Sequence, residues 1–143
     1  MIFQPVLYII GYLLSALSII LCIPAGVDAF YGDNQWQSFT FASLISLFFG
    51  IILILANKSD NFSISLKQAF LITTLSWVFI AFFGALPFIF SDLELSFTDA
   101  FFESMSGITT TGSTILSNLD NSPHGILIWR SLLQWFGGIG IVV

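Results

Sequence analysis

Residues Ala100 to Thr114 read AFFESMSGITTTGST, a short helix-forming run that leads directly into a Thr/Gly loop between two long apolar segments. In lipid, backbone that is neither helical nor part of a closed barrel leaves polar groups unpaired, so it occurs only inside protein or beside a watery cavity. A half-length helix followed by such a loop is how an ion pore presents backbone carbonyls in place of water. We therefore interpret this stretch as a pore loop.

The composition of the chain is that of a membrane protein with several spans. Of its 143 residues 57% are hydrophobic and only 8% are charged, whereas soluble domains average about 25% charged residues. Three basic residues form no patch, which excludes nucleic-acid binding. Cys22 alone supports neither a disulfide framework nor a metal cluster, and we expect it to be a small packed or lipid-facing side chain. No nucleophile, base and orienting group occur together, so neither an enzyme nor a bound organic cofactor is indicated.

Three apolar runs are long enough to cross a hydrocarbon core of ~30 Å at ~1.5 Å per residue: residues 6–27, 38–56 and 68–90. A cleaved signal peptide is the alternative for the first run, but no Lys or Arg precedes it and it exceeds the usual ~7–15-residue signal core. Lys58 and Lys67 lie in the loop at 57–67, and short basic loops stay cytoplasmic. We therefore expect a cytoplasmic N-terminus, with a polar turn at 28–36 and the connection at 92–122 outside.

The short helix before the Thr/Gly loop has its own start and stop signals. Ser96 with Asp99 three residues later predicts a capped start at Phe97, and Gly107 predicts an end after Ser106. Such a helix is only ~15 Å long, about half a membrane. Its C-terminal end carries a partial negative charge and is directed at the membrane middle, which favours a cation there over an anion.

A last helix is predicted from the C-terminal quarter of the chain. Ser122 is its expected cap and Pro123 its first residue, and it runs to Val143 as a span that looks cut short. We expect His124 to be a solvated loop residue. The glycine-rich segment 137–140 lacks the preceding strand of a nucleotide-binding loop, so it predicts close helix packing instead.

Arg130 is the one charge inside the last helix, about two turns from its start. A charge costs ~2.5–3.5 kcal/mol near the bilayer centre on insertion scales, and less near the interface, where a long side chain can extend toward water. The other interpretation is an ion pair that braces the short helix, whose polar face carries Asp99, Glu103 and Ser106. We expect the partner of Arg130 to be Glu103 or Asp99.

The run FFESMSGITTTGST, followed by SPHGILIWRSLLQWFGGIGIVV, resembles the first pore repeat of the bacterial Trk potassium-uptake transporters, the TrkH family. The TTTG and WR…LQWFGG blocks stand in the order and spacing of that family, and the likeness extends more loosely to the N-terminus. The resemblance implies that the carbonyls of Thr110, Thr111 and Gly112 line an ion path, with Ser113 at its outer edge. It places K⁺, the transported ion, at Thr110 and Thr111, with Glu103 and Arg130 as structural support.

The implied fold is an all-α integral membrane protein. Residues 1–66 form two leading transmembrane helices with a cytoplasmic loop, and residues 67–143 form a helix–pore-loop–helix repeat whose second helix is incomplete. TrkH proteins join four such repeats in one chain in the bacterial inner membrane, form dimers surrounded by lipid, and couple to a cytosolic nucleotide-binding regulator of the TrkA type. The two leading helices favour TrkH over the KtrB relatives, which lack them.

The resemblance thus implies the pore-forming subunit of a Trk-type potassium-uptake system, present here as a fragment. One pore loop supplies a quarter of a filter, so the chain needs the remaining repeats of the same transporter to enclose an ion. Two alternatives stay open at this point. In the first, the chain would be a small cation channel that forms by tetramerisation. In the second, it would be a non-conducting membrane remnant or scaffold.

Overall fold

The described part of the chain is built from helices, and the longest connection, residues 109–123, lies between the last two. The computed structural model describes residues 2–58, 60, 63–117 and 121–142, which form five α-helices and no strand. In chain order they are α1 (Phe3–Tyr31), α2 (Trp36–Ala56), α3 (Leu66–Phe90), α4 (Phe97–Ile108) and α5 (His124–Val142). This confirms the predicted all-α architecture of two leading helices followed by a helix–short helix–loop–helix unit.

Among the described residues three helices, α1, α2 and α3, are long and apolar enough to cross a membrane. They have 29, 21 and 25 residues, and each includes one of the predicted apolar runs. The short helix α4 has 12 residues, which is about 18 Å at ~1.5 Å per residue. It therefore reaches only part of the way across a bilayer, as the sequence predicts.

The helix α1 extends through the segment that the sequence predicts to be a polar turn. It ends one turn later than predicted at Gly32, whose φ of 77° is left-handed and whose N–H donates to the Asp28 carbonyl. The Asp28 side chain is fully buried, and its Oδ1 accepts the Gly125 N–H at 2.5 Å. The prediction of a turn from Asp28 was wrong because this carboxylate faces the start of α5, whose amide dipoles favour a negative charge.

The two leading helices form a hairpin whose contact surface is made of small residues. A Cβ on Gly11 would lie 2.9 Å from the Gly50 carbonyl oxygen, so no larger side chain fits there without a shift. The Ser43 hydroxyl donates to the Ser18 carbonyl at 2.7 Å across the same surface. Small residues and interhelical hydrogen bonds are what hold helices together in lipid. Cys22 is an exposed small side chain beside this contact surface.

The hairpin is tied to the pore-loop unit at the end of the molecule where α4 begins. The Gln35 side chain donates from Nε2 to Asp92 Oδ2 at 2.6 Å and accepts the Asp92 N–H at 3.3 Å. The buried Trp129 of α5 donates from Nε1 to the Gly84 carbonyl of α3 at 2.9 Å. The connections before α2 and α4 therefore lie at the same end, and α3 and α5 flank the short helix.

Glycines set the distance between α4 and α5. The helix α4 continues through Gly107 to Ile108, so the prediction that Gly107 ends it was wrong. A Cβ on Gly107 would lie 3.1 Å from the Cβ of Leu133, and one on Gly137 would overlap the Ile108 carbonyl oxygen. The lack of a side chain at these glycines therefore allows the two helices to pack closely, as predicted for the 137–140 segment. It does not end the helix α4.

Candidate ion-binding loop

The loop that follows α4 has left-handed backbone at two residues, Thr110 and Gly112. Thr110 has φ 57° and Gly112 has φ 81°, whereas the described non-glycine residues around them have negative φ. Left-handed backbone is unusual for a β-branched residue, and the Thr110 and Thr111 N–H groups hold it by donating to the Gly107 and Ser106 carbonyls at 3.0 Å. Left-handed backbone at these two residues therefore sets the path of the loop and the directions of its peptide groups.

Three successive carbonyls of this loop are without a partner in the described part of the chain. The carbonyl oxygens of Thr110, Thr111 and Gly112 accept no hydrogen bond from any residue that the structure describes, and all three residues are exposed. The nearby threonine hydroxyls have other partners. The Thr109 hydroxyl donates to the Met105 carbonyl at 2.6 Å and lies 2.9 Å from the Thr111 hydroxyl. These three carbonyl oxygens are therefore available to accept a hydrogen bond or to bind a cation.

The carbonyl of Ser113 is in a different environment. It accepts a hydrogen bond of 2.5 Å from the hydroxyl of Ser106, a buried residue of α4. Its oxygen thus points at the short helix, in contrast to the three carbonyls before it. The sequence and the resemblance did not distinguish these two environments.

A buried carboxylate connects the loop, the short helix and α5. Glu103 accepts hydrogen bonds from the Thr114 hydroxyl at 2.9 and 3.1 Å and from the Ile115 N–H at 3.1 Å. Arg130 Nε lies 2.5 Å from Glu103 Oε1, with side-chain exposures of 17% for the arginine and 1% for the glutamate. Of the two partners that the sequence offered for Arg130, the structure brings Glu103 to it, and Asp99 is exposed.

The start of α5 is held against the end of α1 by a second polar contact. The His124 ring stacks on Tyr31 at 4.1 Å between centroids, and its Nδ1 lies 2.9 Å from Asp33 Oδ2. His124 is the first residue of α5 and not a loop residue, but its side chain is 54% exposed, so it is solvated as predicted, and only its contacts with Tyr31 and Asp33 were not foreseen. Hydrogen bonds from the His124 ring and backbone hold the pKa of Asp33 below its ordinary value.

No group of three or more His, Cys, Asp or Glu side chains able to hold a metal ion occurs within the described ranges. The polar side chains at the loop are hydroxyls and one ion pair. What the loop offers a ligand is therefore backbone oxygen.

The family model of the TrkH cation transport proteins matches residues 35–143 of the chain. The chain belongs to the TrkH family. The match includes the short helix α4, the Thr/Gly loop and α5, which are the elements that build the site.

Individual TrkH proteins are similar over nearly the whole chain. The Trk system potassium uptake protein TrkH of Escherichia coli K12 is 43% identical over 142 residues, which cover 99% of this chain and 29% of that protein. TrkH of Halomonas elongata is 39% identical over 139 residues, again 29% of its length. The crystal structure of the potassium transporter TrkH from Vibrio parahaemolyticus matches with a TM-score of 0.94 at 38% identity, covering 99% of this chain and 31% of that one. The chain thus spans about 29% of the length of the curated relatives it matches.

Proposed function

We propose that the chain forms one quarter of the potassium path of a Trk-type uptake system, as part of a longer transporter in the bacterial inner membrane. The observation that carries the proposal is the row of three unpartnered carbonyls at Thr110, Thr111 and Gly112. A potassium ion leaves its hydration shell only where protein oxygens replace the water oxygens. The C-terminal end of α4, which carries a partial negative charge, precedes this row directly and favours a cation.

The residues around the row have separate roles in this proposal. Thr110 and Thr111 provide carbonyls for K⁺, Gly112 provides the next one and the backbone angle that aims it, and Ser113 follows at the outer edge. Glu103 supports the loop by binding Thr114 and Ile115, and Arg130 holds Glu103 through their ion pair. K⁺ is the transported ion in this reading, and no chemical step on an organic group is proposed.

The distribution of charge between the two ends of the helices supports one orientation in the membrane. Lys58 and Lys67 lie in or beside the connection between α2 and α3, and cytoplasmic loops carry an excess of such residues. The opposite end carries the acidic residues Asp33 and Asp92 in the connections before α2 and α4. We propose a cytoplasmic N-terminus, with the loop open to the outside.

The remaining parts of the system are inferred from the same reading. Three further pore repeats of the same transporter would complete the ring of oxygens, since one loop cannot enclose an ion. Residues 1–66 would act as the leading hairpin and residues 67–143 as the first repeat, with homodimer formation, surrounding lipid and a cytosolic TrkA-type regulator. The names of the relatives, which refer to a Trk system for potassium uptake, support membership of such a system.

A hybrid transporter tests the proposal. In this hybrid the chain replaces the matching segment of Escherichia coli TrkH, and it is expressed in cells that lack their own potassium uptake. We expect the hybrid to restore growth at low potassium and uptake of Rb⁺ as a tracer. The 143-residue chain alone serves as the comparison, and we expect it to conduct nothing.

Two outcomes would contradict the proposal. A hybrid that reaches the membrane in the same amount as the parent protein but takes up no Rb⁺ would indicate a non-conducting remnant or scaffold. A chain that conducts by itself, and migrates as a closed fourfold assembly on a native gel, would indicate a small tetrameric channel.

A further inference from the structure

A single hydroxyl distinguishes the Ser113 carbonyl from the three loop carbonyls before it. The Ser106 side chain is 5% exposed and donates its one proton to the Ser113 carbonyl at 2.5 Å. A serine inside a helix usually donates instead to the carbonyl four residues before it. Here the hydroxyl donates to a residue seven positions later. That residue begins the outer limb of the loop, which we define as residues 113–115.

We propose that Ser106 is a positioning residue that holds the Ser113 carbonyl against α4 and away from the ion. This inference rests on the proposed potassium path and makes it more specific. The repeat then contributes three carbonyls, those of Thr110, Thr111 and Gly112. Ser113 has a supporting role in place of the ion-binding role expected from the resemblance.

The residues that follow Ser113 are held from the same side of α4. Glu103, one helical turn before Ser106, accepts hydrogen bonds from the Thr114 hydroxyl and the Ile115 N–H. Three successive residues, Ser113 to Ile115, are thus bonded to side chains of α4. The carbonyls of the three residues before them make no hydrogen bond to any described residue.

The boundary between the two groups falls directly after Gly112, the last left-handed residue of the loop. A flexible outer limb would allow the Ser113 carbonyl to rotate toward an ion and would change the number and the spacing of its oxygen ligands. The Ser106 hydroxyl prevents this because a carbonyl that accepts a short hydrogen bond from a buried group keeps its direction. Ser106 thereby affects selectivity without contact with the ion.

Variants of Ser106 in the hybrid transporter test this inference, with the ratio of Rb⁺ to Na⁺ uptake as the readout. Ser106→Ala removes the donor, and we expect a ratio roughly threefold to tenfold lower, the range that the loss of one net hydrogen bond produces. Ser106→Thr keeps the hydroxyl and should restore the ratio. Ser106→Cys, with a weak donor of similar size, should change the ratio in the same direction by a smaller factor.

The matched control is Ser104→Ala on the same helix. The Ser104 hydroxyl is also buried, but it has no hydrogen-bond partner among the described residues, so we expect its loss to leave the ratio unchanged. An unchanged ratio in Ser106→Ala, combined with a lowered ratio in Gly112→Ala, would overturn the role of Ser106 and leave the proposed potassium path intact. Unchanged ratios in both variants would overturn the proposed path itself.

Discussion

Replacing Gly112 by alanine in the hybrid transporter should lower its preference for potassium over sodium by on the order of tenfold. Gly112 has φ 81°, and a left-handed conformation costs an L-residue about 1–2 kcal/mol, which is about a factor of ten in an equilibrium. A Cβ at this position would meet nothing within 4 Å, so the substitution introduces no clash. The strain is relieved by rotation of the adjoining peptide groups, and that rotation turns carbonyls away from the ion. Tracer uptake of Rb⁺ and Na⁺ measures the effect.

A second left-handed glycine provides the matched control for this prediction. Gly32 has φ 77°, has open space around the position of a Cβ, and lies at the end of α1 away from the loop. Gly32→Ala should lower the thermal stability of the hybrid about as much as Gly112→Ala does, and its ion preference should stay unchanged. If both variants keep the parental preference, strain at Gly112 does not act on an ion path and the assignment of the loop fails.

The second large effect is expected from the buried pair of Glu103 and Arg130. Glu103→Ala leaves Arg130, whose side chain is 17% exposed, without its carboxylate, and removes the acceptor for Thr114 and Ile115. Removal of one partner of a buried pair is destabilising by about 3–5 kcal/mol. We therefore expect a substantially lower Tm for the hybrid in detergent and a loss of Rb⁺ uptake, because the outer limb of the loop is no longer held.

Arg130→Ala leaves Glu103, whose side chain is 1% exposed, without its cation, so we expect a loss of Tm of the same order, but a smaller loss of Rb⁺ uptake because Glu103 keeps its bonds to Thr114 and Ile115. Asp99→Ala is the control on the same helix, since Asp99 is exposed and acts only on the helix N-terminus, worth less than about 1 kcal/mol. The double variant of Glu103 and Arg130 then isolates the coupling between them. A Tm for Glu103→Ala no lower than that for Asp99→Ala would show that the pair does not support the loop.

The elements whose boundaries the sequence predicts well are those fixed by local pattern. The spans α2 and α3 begin within two residues of their predicted starts and end where predicted, because a run of apolar residues between polar loops is itself the physical cause of a span. The contact of Glu103 with Arg130 was also foreseeable as one of two choices. A lone charge inside an apolar helix needs a partner, and the polar face of α4 offers Asp99 and Glu103 alone as acids.

The features that the sequence predicted wrongly depend on contacts between distant segments. Asp28 lies in a polar stretch and reads as a turn, but it is helical and buried because the start of α5 lies against it. His124 is paired because Asp33 and Tyr31 are brought to it by the same contact. Gly107 reads as a helix end, yet it is the site where α4 approaches Leu133. No local pattern carries the information that these segments meet.

The bond between Ser106 and Ser113 belongs to the same class, with one difference. Ser106 lies on the polar face of α4 with Glu103, so the sequence alone indicates that Ser106 needs a polar partner if this face is buried. The identity of that partner depends on the path of the loop, and this path depends on left-handed backbone at Thr110. A threonine does not indicate left-handed backbone in a sequence. Only the left-handed position at Gly112 has a sequence signal.

The most direct measurement is the position of a bound monovalent cation in the hybrid transporter, located by the anomalous scattering of Tl⁺ or Rb⁺ soaked into its crystals. We expect ion density next to the carbonyl oxygens of Thr110, Thr111 and Gly112, with the Ser113 carbonyl turned toward Ser106. A loop that lies on the outer surface of the protein, with no ion density beside these three carbonyls, would contradict the account.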